Sequence, residues 1–191
     1  IEQHYWPRYA GDATPAEATG QVVAVADRVD TMLGIFAIGQ KPSGVKDPFG
    51  LRRAALGIIR ILIENKLSLN LHDLFQQAAT AYGDKLDAHG AIDGVIEYIF
   101  DRLKAYYQDQ KIPTGVIDAV LSARPMVFTD MNSRMLAVNE FLKHDSALAL
   151  AAANKRISNI LKKQSAPIAS NIQPELLQEA AEKALFEQLT V

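Results

Sequence analysis

Cysteine is missing from all 191 residues, which excludes disulfides and cysteine-based zinc sites and fits a reducing compartment. There is no run of about eighteen apolar residues and no basic start leading into an apolar stretch, so neither a membrane span nor a signal peptide is expected. The cytoplasm is the default location. Strand-like alternation is almost lacking. A glycine-rich phosphate loop, GxSxG, HExxH and GxGxxG are all absent, so an autonomous active site is not expected. An excess of positive charge is missing too: 20 Lys and Arg against 22 Asp and Glu leave a net charge of -2. That argues against a general nucleic-acid binder and confines any such contact to a local patch.

What remains is ordinary for a globular protein with a real core, 49% hydrophobic and 22% charged. Helical periodicity recurs from end to end and predicts an all-α, multi-helical bundle. A first long helix is expected from about Ala16 to Ile38, with Val22, Val25, Ala26, Val29, Met32, Leu33 and Phe36 inward. Others are expected from Leu51 to near Asn65, after an Asn70 or Ser68 cap through Tyr82, over Ala91 to Gln110, Val116 to Ser122, Thr129 to Leu142 and Ser146 to Lys163. Residues 1–163 read as one helical domain, 164–173 as a linker, and 174–191 as the start of a further helical region. Its helix, Pro174 to Leu189, would set Leu176, Leu177, Ala180, Ala181, Ala184, Leu185 and Leu189 on one apolar face. The chain opens without methionine in what reads as the end of a helix, Ile1 to Trp6, stopped by Pro7. A piece of a longer polypeptide is expected.

The most informative stretch is Lys46-Asp47-Pro48-Phe49-Gly50-Leu51-Arg52-Arg53-Ala54-Ala55-Leu56-Gly57. Pro48 suits a first helical turn and Asp47 can cap the exposed amides. The helix that follows is apolar on most sides, so Arg52, Arg53 and Arg60 stand out against it. Unpaired charge is rarely buried, so one reading has Arg52 or Arg53 neutralising a carboxylate of a neighbouring helix. Asp27 and Asp30 are the expected partners, making a clamp of Asp27, Asp30, Asp47, Arg52 and Arg53. The other reading takes Lys41, Lys46, Arg52, Arg53 and Arg60, against Asp47 alone, as a cationic surface for an anionic partner such as RNA. Lys155, Arg156, Asn159, Lys162 and Lys163 recur at helical spacing later in the chain. They read either as a solvated helix end or as a phosphate-backbone contact.

Metal chemistry has weaker support. Asp27 and Asp30 share a helix face without neighbouring histidines. His72-Asp73 and His144-Asp145 invite an HD-type metal-dependent phosphohydrolase reading, yet His4 and His89 sit in polar, turn-proximal contexts and both dipeptides fit helix starts. No metal site is expected.

Several segments resemble one family. They are His4-Tyr5-Trp6-Pro7-Arg8-Tyr9-Ala10-Gly11-Asp12, Ala26-Asp27-Arg28-Val29-Asp30-Thr31-Met32-Leu33-Gly34-Ile35-Phe36, Gly39-Gln40 with Lys46 to Gly57, and Ala151-Ala152-Ala153-Asn154-Lys155-Arg156-Ile157-Ser158-Asn159-Ile160-Leu161. In this order they resemble the β subunit of the bacterial two-subunit glycyl-tRNA synthetase. The resemblance implies a degenerate HD-like helical domain followed by the approach to an anticodon-binding region. It also implies tRNA(Gly) and the synthetase α subunit as partners in an α2β2 assembly, with ATP and Mg2+ used on the α subunit and no cofactor in this stretch. Arg52, Arg53, Lys155, Arg156, Lys162 and Lys163 are then the candidate RNA contacts, with no catalytic residue expected. An HD-type phosphohydrolase and a purely structural scaffold are the alternatives.

Overall fold

Helical periodicity becomes helix almost everywhere in the computed structural model, which describes residues 2–42, 47–163 and 172–189. Its α-helices are α1 (Ala18–Ala37), α2 (Leu51–Glu64), α3 (Leu71–Tyr82), α4 (Ile92–Asp109), α5 (Thr114–Ser122), α6 (Phe128–Phe141), α7 (Asp145–Leu161) and α8 (Ala180–Leu189). Among the described residues there is no strand, only an isolated bridge between Asn70 and Val127. The all-α expectation holds.

The chain forms two compact units, residues 1–144 and residues 145–191. In the first, α2 is the central element because most of its apolar residues are buried. Leu51, Ala55, Gly57, Ile58, Ile59, Ile61 and Leu62 are all buried, and the helix packs against α1, α4 and α6. Helix α4 in turn lies against α1, α2, α3 and α5. Met32, Leu33, Phe75, Ile96, Tyr107 and Phe128 fill the space between them. Each such side chain contributes about 1.5–3 kcal/mol by leaving water.

Local signals set the helix ends. The Asn70 side chain accepts hydrogen bonds from the amides of His72 and Asp73 at 2.9 and 3.3 Å, satisfying two of the free donors that open α3. Leu71 N–H donates to the Met126 carbonyl at 2.8 Å, tying that start to the residues before α6. Gly83, at a φ of +55°, ends α3 where a side chain would be strained.

Several expectations need correction. Pro48 lies in a turn before α2, closed by Gly50 N–H on the Asp47 carbonyl at 3.2 Å, and not in the first helical turn. On α1, Val22 is 68% exposed and Ala26 is exposed, while Ala24 and Arg28 are buried in their place. The inward stripe is rotated because the N-terminal segment packs on α1, beginning with a short 3-10 turn, Glu2–Tyr5. Helix α7 ends at Leu161, so Lys162 and Lys163 follow it.

The second unit differs most from expectation. The single helix expected from Pro174 is a 3-10 turn, Pro174–Leu176, then extended chain at Leu177, and only then α8. The Glu182 carboxylate accepts from the amides of Gln178 and Glu179 at 2.9 and 3.0 Å, which fixes the new start and holds its pKa below the usual range. Leu176, Leu185 and Leu189 remain exposed. This second compact unit begins at Asp145. Residues 164–171 of the expected linker lie outside the described residues.

Replacing Asn70 by Ala should lower stability by about 1 kcal/mol through loss of the cap. Urea unfolding checks this as a lower midpoint with an unchanged slope.

Candidate nucleic-acid interface

Arg28, a residue with no role in either reading of the paired arginines, organises the region around them. It lies four residues from Ala24 and from Met32, so the helical repeat places it on the buried stripe of α1, and it is only 8% exposed. One terminal nitrogen donates to the carbonyls of His4 and Ala24 at 3.1 and 2.8 Å. The other donates to those of Tyr5, Trp6 and Pro7 at 3.1, 3.0 and 3.2 Å. The second nitrogen has fewer hydrogens than acceptors, so one of its N–H groups is shared between two carbonyls in a three-centre bond. Burial lowers its pKa, partly offset by Asp27, yet arginine starts so far above neutrality that the cation persists. On the facing helix, a Cβ built on Gly57 would overlap the Arg28 Nε, so only glycine leaves room for this side chain.

At the start of α2 the Asp47 carboxylate accepts from the amides of Leu51 and Arg52 at 2.8 and 2.9 Å. Gly50 reaches the helix in the left-handed conformation, φ +67°, and Phe49 is left 46% exposed at the turn. The two arginines then part. Arg52 is half-buried and lies near Tyr98 of α4, whose ring carries the Arg102 guanidinium at 5.2 Å. Burial pushes the Tyr98 hydroxyl up, against the opposing pull of the Arg102 and Arg52 charges. Arg53 points outward, its terminal nitrogen 3.0 Å from where a Gly50 Cβ would stand.

Among the described residues no ion pair joins Asp27 or Asp30 to Arg53, and the contact described for Arg52 is with Tyr98. Both aspartates sit on the exposed side of α1, because the buried positions between them belong to Arg28 and Val29. Asp30 takes part through its backbone carbonyl, which accepts from the Tyr82 hydroxyl at 3.0 Å. Asp47 alone of the three carboxylates has the expected local role, as a cap.

Two other cations of the expected surface have local partners. Arg60 is held by Glu64 through two contacts at 2.6 and 3.1 Å, Lys41 lies over Phe36 at 5.9 Å, and Lys46 falls outside the described residues. What remains is an open cleft of about 400 Å³ lined by Tyr5, Pro7, Arg8, Asp27, Arg28, Thr31, Phe49, Gly50, Arg53 and Ala54. Sequence reasoning found Arg53 but missed Arg8, Arg28 and the two aromatic rings.

In the second unit, Lys155, Arg156, Lys162 and Lys163 are all exposed, and Lys155, Arg156, Asn159 and Lys163 border one shallow hollow of about 360 Å³. They form a separate cationic surface. His72 and Asp73 open α3 and Asp145 opens α7, as expected. Among the described residues no group of three or more His, Cys, Asp or Glu is gathered to hold a metal ion. Nor, among them, is any helix long and apolar enough to cross a membrane.

The profile of the family described as "Glycyl-tRNA synthetase beta subunit" matches residues 1–122. The chain belongs to that family. It is 51% identical over 189 residues to a glycine–tRNA ligase beta subunit of Hahella chejuensis, covering 98% of this chain and 27% of that protein. The corresponding proteins of Actinobacillus succinogenes and Aeromonas salmonicida are 50% and 48% identical, each covering 99% of the chain and 27% of the relative. The chain thus spans about a quarter of the length of these relatives. Within the glycyl-tRNA synthetase beta subunit family profile lie Arg28, Gly57 and the whole cleft. The basic end of α7 lies beyond the profile but inside the alignment with the relatives.

Two glycine substitutions separate packing from helix propensity. Gly115→Ala, with nothing within 4 Å of the new methyl, should raise stability by up to about 1 kcal/mol. Gly57→Ala should instead lower it by about 1–3 kcal/mol, because the methyl displaces Arg28. Paired thermal or urea unfolding curves measure both signs.

Proposed function

We propose that this chain is a tRNA-facing helical part of the beta subunit of a glycine–tRNA ligase. The parent reaction is the ATP-dependent attachment of glycine to tRNA(Gly) in the cytoplasm. Glycine, ATP and Mg2+ are handled on the α subunit of an α2β2 assembly, and the beta subunit contributes recognition and assembly. Identity near one half along almost the whole chain supports this reading more than any other observation.

The physical features agree with a recognition role. The chain has no surplus of positive charge overall, so phosphate contacts depend on local groups. Arg53 at the cleft and Lys155, Arg156, Lys162 and Lys163 at the end of α7 are exposed cations suited to neutralising phosphates. Arg52 is turned toward Tyr98 of α4 and is not one of these exposed cations.

The test is titration of labelled tRNA(Gly) with the complete two-subunit enzyme across salt concentrations, comparing wild type with a variant carrying Ala at positions 155, 156, 162 and 163. The variant should bind more weakly, and its salt slope should fall by about 0.7–0.9 for each phosphate that is no longer neutralised. An unchanged affinity and slope would remove the RNA role of α7.

A further inference from the structure

We propose that the cleft between the N-terminal segment and the α1–α2 pair binds an unpaired RNA nucleotide, its base stacked on Tyr5 or Phe49 and its phosphate held by Arg53 and Arg8. This rests on the reading that the chain faces tRNA, and it names the kind of RNA element that the first unit takes.

Four observations converge on the cleft. Tyr5 is 63% exposed and Phe49 46% exposed, and both line the same depression. The Tyr5 ring is paired with the His4 ring at 3.8 Å between centroids yet stays mostly exposed, and with Phe49 beside the arginines it makes a stacking platform, since every base has a π-face that an aromatic ring can cover. Base faces are hidden inside a duplex and become available in loops, bulges and ends. Unpaired RNA therefore fits the rings, whereas a helix does not.

The cations are placed for the phosphate. Among the described residues the Arg53 guanidinium enters no ion pair. Arg8 pairs with Asp12 through Nε, at 3.0 Å, which leaves its two terminal nitrogens outside that contact. Arg28 adds positive charge to the wall, but its terminal donors are committed to carbonyls. Asp27 lines the α1 side and repels an anion there, so the phosphate belongs on the side of Arg53 and Arg8. The amides at the start of α2 are not the anion site, because Asp47 already occupies them.

The rigidity of the cleft gives the rings their use. Arg28 fixes the backbone that carries Tyr5, while the Asp47 cap and the left-handed Gly50 fix the turn that carries Phe49. A volume of about 400 Å³ falls at the small end of ligand sites, enough for one nucleotide and not for a duplex groove.

The experiment uses the complete two-subunit enzyme with labelled tRNA(Gly), competed by a short single-stranded oligoribonucleotide or by an RNA duplex of the same length. The variants are Tyr5→Ala, Phe49→Ala, Arg53→Gln and Tyr5→Phe, all at exposed positions, with unfolding temperatures recorded for each. Loss of the stacking ring should weaken tRNA binding roughly fivefold to a hundredfold. Tyr5→Phe should bind like wild type, and Arg53→Gln should lower the salt slope by about 0.7. The single strand should compete better than the duplex against wild type and lose that advantage in the Tyr5→Ala/Phe49→Ala double variant.

Unchanged tRNA affinity in Tyr5→Ala, Phe49→Ala and Arg53→Gln overturns the proposal, as does equal competition by duplex. If those three variants bind normally while the α7 variant binds weakly, the cleft assignment falls and the tRNA-facing reading stands. If all bind normally, both fall. If the cleft variants keep tRNA affinity but loosen subunit association in sedimentation, the cleft is a protein contact and the proposal is overturned.

Discussion

A buried guanidinium that spends its terminal hydrogen bonds on main-chain carbonyls holds this region together. Arg28 joins α1 to the carbonyls of four successive residues, His4 to Pro7. A buried charge is tolerated only when its donors are satisfied, and carbonyl oxygens can do this without a carboxylate. Two further features follow. Gly57 must lack a side chain where α2 passes Arg28, and the N-terminal segment must run across α1 instead of continuing a helix. The cleft is the space left beside that junction.

The second constraint is the junction before α2. A helix so apolar has to enter the core at a defined angle, and its first amides need acceptors. Asp47 provides them from four and five residues away, with Gly50 supplying a backbone turn that other residues adopt with strain. As a result two adjacent arginines have unlike surroundings. Successive residues on a helix are separated by about 100°, so Arg52 turns toward α4 while Arg53 turns toward the cleft. Treating the pair as a single cationic patch misses this.

The two units present different surfaces. In the first, most of the large apolar residues are buried in one core, and the proposed recognition falls to polar groups and a few exposed rings around one cleft. In the second, Leu148, Leu150, Ile157 and Ile160 on α7 remain more than half exposed, beside the basic residues. The chain belongs to the glycyl-tRNA synthetase beta subunit family and spans 27% of the length of its Hahella chejuensis relative.

The helical class, the order of the helices and most of their ends were legible in the residues, because these depend on a 3.6-residue repeat and on nearby caps such as Asn70 and Gly83. The family was legible too, through segments such as Lys46 to Gly57. Which residues meet depends instead on packing between distant segments. Asp27 and Asp30 looked like partners for Arg52 and Arg53 because they are close in type and in helical phase, yet the packing of the N-terminal segment gave the buried position to Arg28. Its contacts reach across 21 to 24 residues, a separation about which local periodicity carries no information. The cleft was illegible for the same reason: Tyr5, Arg8, Phe49 and Arg53 come from separate segments, and only folding around Arg28 brings them to one place.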